Sequence, residues 1–329
     1  MPLLLTIAIP TYNRAGLLEQ RLRELLPQAR EGVEILVCDD GSTDETLRVC
    51  EMYRAQGIRI CAAVANMGLS MNMLRAFQEA RGEWLWTLGD DDAVRDDGVA
   101  TALGLIEKHG DAAVIVTRSE TLHFDADHSI DSLAGFFDQH GPLDASFMSA
   151  NLYHLAQLRG NLKVMGLASF TLAPHCALMN QILERKAGRL QFSTVGLLGP
   201  CDSNRRWSSL EFALGTCVSL EFIRDPVQQR RAAIGTWYQT RWMQKYGLRE
   251  VYDGESFSRW KRFCRTSDLI LKSHRVSLLR ILLHKDRTLQ ALKTGLLLAV
   301  FHLLPFFVLK GPIAAMRARQ SGDKVLLDV

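Results

Sequence analysis

From Leu3 to Val116 the chain alternates short apolar runs with stretches in which apolar residues recur every three or four positions. The first kind suits strands covered on both faces, and the second suits the amphipathic helices that cover them. The pattern predicts strands over Leu3–Ile9, Val33–Cys38, Ile58–Ala63, Trp84–Leu88 and Ala112–Val116. Between them, Leu18, Leu22, Leu25 and Ala29 mark one helical stripe, Met73, Phe77 and Ala80 a second, and Val99, Leu103 and Ile106 a third. Ser42 and Glu45 read as a capping box ahead of a helix, with Gly41 in the preceding turn. This alternation implies an α/β fold, a mostly parallel sheet flanked by crossover helices, and ligands of such sheets lie beyond the carboxyl ends of the strands.

After Val116 the rhythm weakens. His123 to Asp144 is acidic and aromatic without a clear period and reads as a long loop or partly ordered insertion, whereas Gly166 to Met179 reads as a strand-like apolar run. From Trp237 onward the chain is helical and basic in pattern, without repeats. Within it, Gly295–Leu309 is a fifteen-residue stretch in which His302 is the only strongly polar side chain. That is shorter than the ~20 residues of a spanning helix, and Pro305 interrupts it, so it reads as a surface-lying or re-entrant membrane segment, with a buried helix as the alternative. Lys285, Arg287 and Lys293 before it, and Lys310, Arg317 and Arg319 after it, suit anionic headgroups. The expected organisation is a catalytic domain over residues 1–225, in halves 1–120 and 121–225, followed by a basic helical membrane-associating region over 226–329.

The composition, 47% hydrophobic and 23% charged over 329 residues, excludes a disordered, collagen-like or multi-spanning chain. A net charge of +3 conceals an asymmetry. Residues 1–225 carry 20 Lys and Arg against 29 Asp and Glu, net −9, and residues 226–329 carry 19 against 7, net +12. An acidic half suits a bound cation and a basic half suits phosphate or an anionic bilayer. No nucleic-acid-binding motif accompanies the basic charge, and nucleic acid is not an expected partner. Seven scattered cysteines without a CxxC pair read as reduced thiols, and Met1 to Ile9 lacks the charged start of a secretory signal, so the expectation is a cytoplasmic protein at the inner membrane face.

Four polar clusters follow successive predicted strands and so converge on one sheet edge. The first is Pro10, Thr11, Tyr12, Asn13 and Arg14, where amides and a guanidinium can approach a diphosphate. The second is Asp39, Asp40, Gly41 and Ser42, whose carboxylates can accept from a base or ribose, or else form an Asp-rich turn with a helix cap. The third is Asn66, Gly68, Ser70 and Asn72, a polar turn into a helix. The fourth is Gly89 with Asp90, Asp91 and Asp92. Three successive carboxylates repel one another, a cost that a hard divalent cation offsets, although a solvated acidic loop gives the same spelling.

In order and spacing, PTYNR, CDDGSTD, NMGLSMN and LGDDD resemble the nucleotide-sugar-binding half of family 2 glycosyltransferases with the GT-A (Rossmann-like) fold. The GDDD form is similar to the abequosyltransferase-like branch of bacterial surface polysaccharide enzymes. The resemblance implies that Pro10, Thr11, Tyr12 and Arg14 border the nucleotide, that Asp39 or Asp40 binds base or ribose, and that Asn66 and Gly68 line the donor pocket. It implies a DxD element in Asp90, Asp91 and Asp92, with Mg²⁺ or Mn²⁺ at the diphosphate. Gly89 stands where the usual Leu-Asp-Xaa-Asp-Asp form has its first Asp, so the DxD is shifted by one. Inverting transfer needs a carboxylate base for the acceptor hydroxyl. By chain order Asp202 is the first candidate and Glu211 the second, with surface-loop carboxylates the alternative. Arg230 and Arg231 fit the basic loop that closes over the diphosphate, or a solvated pair. The implied acceptor is a glycan or lipid-linked glycan. The competing readings are a sugar nucleotidyltransferase and an inactive carbohydrate-binding scaffold of the same fold.

Overall fold

The computed structural model describes residues 3–119, 122–141, 144–200, 215 and 218–236. The chain divides into two compact units, one of residues 1–206 with 219–229 and the other of residues 207–218 with 230–329. In the first, strands and helices alternate as β1 (Leu5–Thr11), α1 (Ala15–Leu25), β2 (Val33–Asp39), α2 (Thr46–Arg54), β3 (Arg59–Ala62), α3 (Leu69–Glu79), β4 (Trp84–Thr87), α4 (Gly98–Lys108) and β5 (Val114–Thr117). These match the predicted strands to within about two residues at most ends. The second half adds β6 (His128–Ile130), α5 (Leu133–Gln139), β7 (Asn151–His154), α6 (Leu155–Leu158), α7 (Leu162–Leu167), α8 (Pro174–Glu184) and β8 (Leu190–Ser193).

The eight strands form one mixed sheet in the order β3-β2-β1-β4-β7-β5-β8-β6. Strands β1 to β4 pair in parallel, as do β5 and β8, whereas β7 runs antiparallel between β4 and β5. On one face, Leu18, Leu22 and Leu25 of α1, Val49 and Cys50 of α2, and Val99, Ala102 and Ile106 of α4 pack on Leu5, Ile7, Ile9, Trp84 and Trp86. On the other, Met73 and Phe77 of α3 are buried, and Phe77 meets Tyr153 of β7 edge to face at 4.8 Å. Burying each such large side chain stabilises the fold by about 1.5–3 kcal/mol, which fixes the sheet on which the site is mounted. Ala29, predicted in the α1 stripe, lies past the helix end and is exposed.

One local expectation is narrowed and two are corrected. Of its two expected readings, His123–Asp144 takes the partly ordered one, because it holds the edge strand β6, antiparallel to β8, and α5, whose Ser132 Oγ accepts from the Gly135 amide. Both are too short to show a period. Gly166–Met179 is not a strand but the end of α7, a turn over 168–173 and the start of α8. Pro174 starts α8, and nine of its eleven residues are buried, so no polar face reveals the helical period. Finally, α2 begins at Thr46 without a capping box: Ser42 Oγ accepts instead from the Asn13 amide, and Asp44 accepts from Thr46.

Among the described residues no helix is long and apolar enough to cross a membrane. Asp202, Glu211, the segment Gly295–Leu309 and its flanking basic residues lie outside the described residues.

Candidate active site

The carboxyl ends of β1, β2, β3 and β4 bring the four polar clusters to one edge. Asn13 ties the first two together. Its backbone sits in the left-handed region at φ 51°, which an asparagine tolerates better than most residues. From there its side-chain oxygen accepts from Thr43 N at 2.8 Å and Asp44 N at 3.3 Å, while its own amide donates to Ser42 Oγ at 2.9 Å. Arg14 N donates to Thr46 Oγ1 at 3.1 Å, so the start of α2 also holds the turn after β1.

Asp39 and Asp40 are both buried and divide their work. Asp40 accepts from Met67 N and from Gly68 N at 2.8 Å, thereby fastening the β3–α3 turn to the end of β2. Gly68 has φ 85°, and Gly41, at φ 73°, lies so close to the turn that a side chain there would meet Ala65 backbone at 2.9 Å. Asp39 Oδ2 accepts from Gly41 N and Ser42 N, whereas its Oδ1 is buried with no partner among the described residues. A buried acceptor left unmade costs about 1–3 kcal/mol, so this oxygen suits a donor on a ligand. Two residues of α3 brace the pair from below. Asn72 Nδ2 donates to Cys38 O at 2.8 Å, and Arg75 Nη2 donates to Asp39 O at 2.6 Å and stands 3.8 Å from Asp40 Oδ1.

Of the three carboxylates after β4, two share Arg14 and the third turns to Ser149. Asp90 accepts from Thr11 Oγ1 at 2.8 Å and from Arg14 Nη1 at 2.7 Å, and the same guanidinium nitrogen reaches Asp91 Oδ2 at 3.1 Å. Burial pushes the Asp90 carboxyl above its ordinary value, with the repulsion of Asp91 adding to this and Arg14 and Thr11 opposing it. Burial also acts to lower the Arg14 pKa, but the two carboxylates outweigh it and raise the guanidinium further. Asp92 turns back into the protein, accepting from Ser149 Oγ at 2.6 Å, and Ser149 Oγ in turn accepts from Gly89 N at 2.8 Å.

Among the described residues no three His, Cys, Asp or Glu side chains surround one point. Asp91 is the most accessible of the three, its side chain 32% exposed against 4% for Asp90. A hard divalent cation bound through one or two carboxylates, with phosphate oxygens and water completing its shell, fits that donor set better than an all-protein cage.

Of the remaining sequence-predicted residues, Pro10 and Thr11 are buried at the end of β1, Tyr12 is exposed beside them, and Asn66 Oδ1 accepts from Gly68 N. Ser70 lies within α3, its hydroxyl donating to Thr171 O. Arg230 and Arg231 belong to the second unit, in a helical stretch over 226–236. Pattern alone places Asn13 in the first cluster but assigns it no role, and it does not single out Arg75 or Ser149. Their partners are main-chain groups and neighbours up to 60 positions distant, which the spelling of a motif does not record.

Known proteins resemble this chain in sequence and in fold. The family described as Glycosyl transferase family 2 matches residues 6–179, more than half of the chain. Abequosyltransferase RfbV of Salmonella typhimurium is 30% identical over 124 residues, 36% of this chain and 37% of that protein. Glycosyltransferase GlyG of Streptococcus pneumoniae is 27% identical over 123 residues, 34% of this chain and 38% of that one. The match thus spans less than two fifths of either relative. In overall fold the chain is similar to S. aureus TarS 1-349 in complex with UDP, with a TM-score of 0.59 at 13% identity over 99% of this chain and 94% of that one. It is also similar to mannosyltransferase PcManGT from Pyrobaculum calidifontis in complex with GDP-Man and Mn²⁺, with a TM-score of 0.52 at 16% identity over 92% and 87%. With its motifs mounted on the GT-A sheet and the family match running from β1 into α8, the chain belongs to glycosyl transferase family 2.

Proposed function

We propose that this protein transfers a sugar, with inversion, from a nucleotide-sugar donor to a hydroxyl of a glycan or lipid-linked glycan in bacterial surface polysaccharide synthesis. The observation that carries this reading is the buried, unpartnered Asp39 Oδ1 at a sheet edge whose loops are locked together by Asn13, Asp40 and Arg14. In this reading Asp39 accepts from the base or ribose. Thr11, Tyr12 and Arg14 border the diphosphate, and Gly68 leaves the pocket floor open. Arg14 holds Asp90 and Asp91 in place and contributes positive charge beside the leaving group.

Asp91, with Asp90 and Asp92 behind it, is the proposed carboxylate for Mg²⁺ or Mn²⁺. When bound, that ion supplies charge neutralisation at the diphosphate. Asp202, or failing it Glu211, is the proposed base that takes the proton of the acceptor hydroxyl, and Arg230 and Arg231 are proposed to close over the phosphates. The basic region 226–329, with its apolar segment 295–309, is proposed to hold the enzyme at the cytoplasmic face of the membrane, where a lipid-linked acceptor lies.

The test is a panel of nucleotide sugars with Mn²⁺, scored first by thermal shift and then by product. A true donor raises the unfolding temperature by mass action, and transfer releases the nucleoside diphosphate. Release of pyrophosphate instead identifies a nucleotidyltransferase, and binding without turnover against any acceptor identifies a scaffold. In the same assay Asp39→Asn, which keeps the shape and removes the charge, is expected to weaken donor binding about tenfold.

A further inference from the structure

A cleft of about 570 Å³ is lined in part by Asp92 of the Asp90–Asp92 turn, and its volume is within the range of about 300–1,000 Å³ that ligand sites occupy. Asp92 forms part of one wall, Arg118 and His123 part of another, and Phe147 and Leu198 give it apolar surface. It lies at the carboxyl ends of β5 and β8, on the acceptor side of the sheet edge.

The charges around this cleft are not equally available. Asp92 is held by Ser149, and Arg95 is committed to Asp97 through two bonds at 2.9 and 3.0 Å. Asp127, next to the cleft, accepts from Thr194 N and Thr194 Oγ1 and pairs with Lys108. Arg118 is different. Its backbone is fixed, the amide donating to Ser193 O at 3.0 Å, while its side chain is exposed and no carboxylate among the described residues pairs with it. Among the described residues it is unpaired, in a stretch, residues 1–225, whose net charge is −9 and which on long-range electrostatics alone repels anions. A guanidinium fork is built to hold a carboxylate or phosphate by paired hydrogen bonds.

The geometry points to an acceptor that is itself acidic, its carboxylate or phosphate gripped by Arg118 in this cleft beside an apolar face formed by Phe147 and Leu198. This rests on the proposed transferase reading and narrows it to a substrate class. Arg118 selects the acceptor and takes no part in the chemical step. The anion comes either from a uronic acid in the glycan or from a phosphate on the sugar or its lipid carrier.

The test uses the full chain with its donor site filled by the nucleoside diphosphate that stabilises it most. Methyl glucuronide, glucose 1-phosphate and neutral methyl glucoside are titrated by calorimetry into wild type and Arg118→Gln. At least one charged ligand is expected to bind about tenfold more tightly than the glucoside, and Arg118→Gln is expected to erase that preference with an unchanged unfolding temperature. Preference for the glucuronide assigns the carboxylate source, and preference for the sugar phosphate assigns the phosphate source. Equal or absent binding of all three, or a preference that survives Arg118→Gln, overturns the inference. Failure of every nucleotide to bind overturns the transferase reading instead.

Discussion

Asp92 Oδ2 occupies the space that a side chain on Gly89 would need: a β-carbon at position 89 would stand 2.6 Å from that oxygen and 3.1 Å from Asp91 Oδ1. The glycine that replaces the usual first aspartate of the motif is therefore matched by an aspartate folded back toward Ser149. Gly89→Ala is expected to expel Asp92 from its bond with Ser149, destabilise the protein by about 1–3 kcal/mol and lower donor turnover at least tenfold. Unfolding in urea and nucleoside diphosphate release check both. A fully active, fully stable Gly89→Ala protein would show that the packing is not required.

Arg14 is the only guanidinium among the described residues that bonds to Asp90 and Asp91. Removing it leaves Asp90 buried beside a like charge. Because Arg14 is itself about one-third exposed, the cost of Arg14→Ala falls below that of a fully buried pair, at about 1–2 kcal/mol. Adding Asp90→Asn removes the stranded charge and is expected to restore most of that stability, but not turnover. Thermal unfolding and donor turnover of the three variants measure this separation, and a double variant no more stable than Arg14→Ala refutes it.

Much of this site was legible in the spelling of the chain, because strand ends, glycines and carboxylates fall together in four short motifs. The first five strands were legible for a related reason: each is an apolar run between clear helical stripes. What the sequence hid was of two kinds. Segments buried on every side, such as α8, show no polar face, and β7 (NLYH) and β8 (LQFS) mix polar residues into their four positions, so neither stands out as an apolar run. Contacts that end on backbone, such as Asp40 with Met67 N and Arg75 with Asp39 O, depend on neighbours that only folding supplies.

Asn13 separates two causes that can be tested apart. Asn13→Gly keeps the φ of 51° accessible but loses the oxygen that accepts from Thr43 and Asp44, whereas Asn13→Ala loses the oxygen and strains the backbone. Both are expected to weaken donor affinity, and Asn13→Ala is expected to be the less stable by about 1 kcal/mol. Calorimetric donor affinity and urea midpoints decide it, and equal stability of the two variants would remove the role assigned to strain.

His175 gives the fold a pH limit. The ring is 1% exposed, Nε2 meets Ser146 O at 2.9 Å and Nδ1 has no partner among the described residues, so a second proton would bury an unpaired charge. Burial pushes its pKa down to about 4, against the opposing pull of the Ser146 and Ala145 carbonyls. Above pH 6.5 the ring is neutral folded or unfolded. As pH falls from there toward 4, the unfolded chain gains a proton that the folded chain refuses, and stability declines by about 3 kcal/mol across the window. Urea unfolding between pH 7 and 4.5 should show this slope in wild type and a shallower one in His175→Gln.

The reversed direction of β7 has a consequence for how such a protein diversifies. A strand that runs against its neighbours begins where they finish, so the residues leading into β7, Phe147 to Ala150, arrive at the same rim as the loops leaving β1, β2 and β4. One side of the rim is thus furnished by chain departing from strands and the other by chain about to enter one. Insertions between Thr117 and Met148 can reshape the second side for a new glycan while the donor loops keep their register.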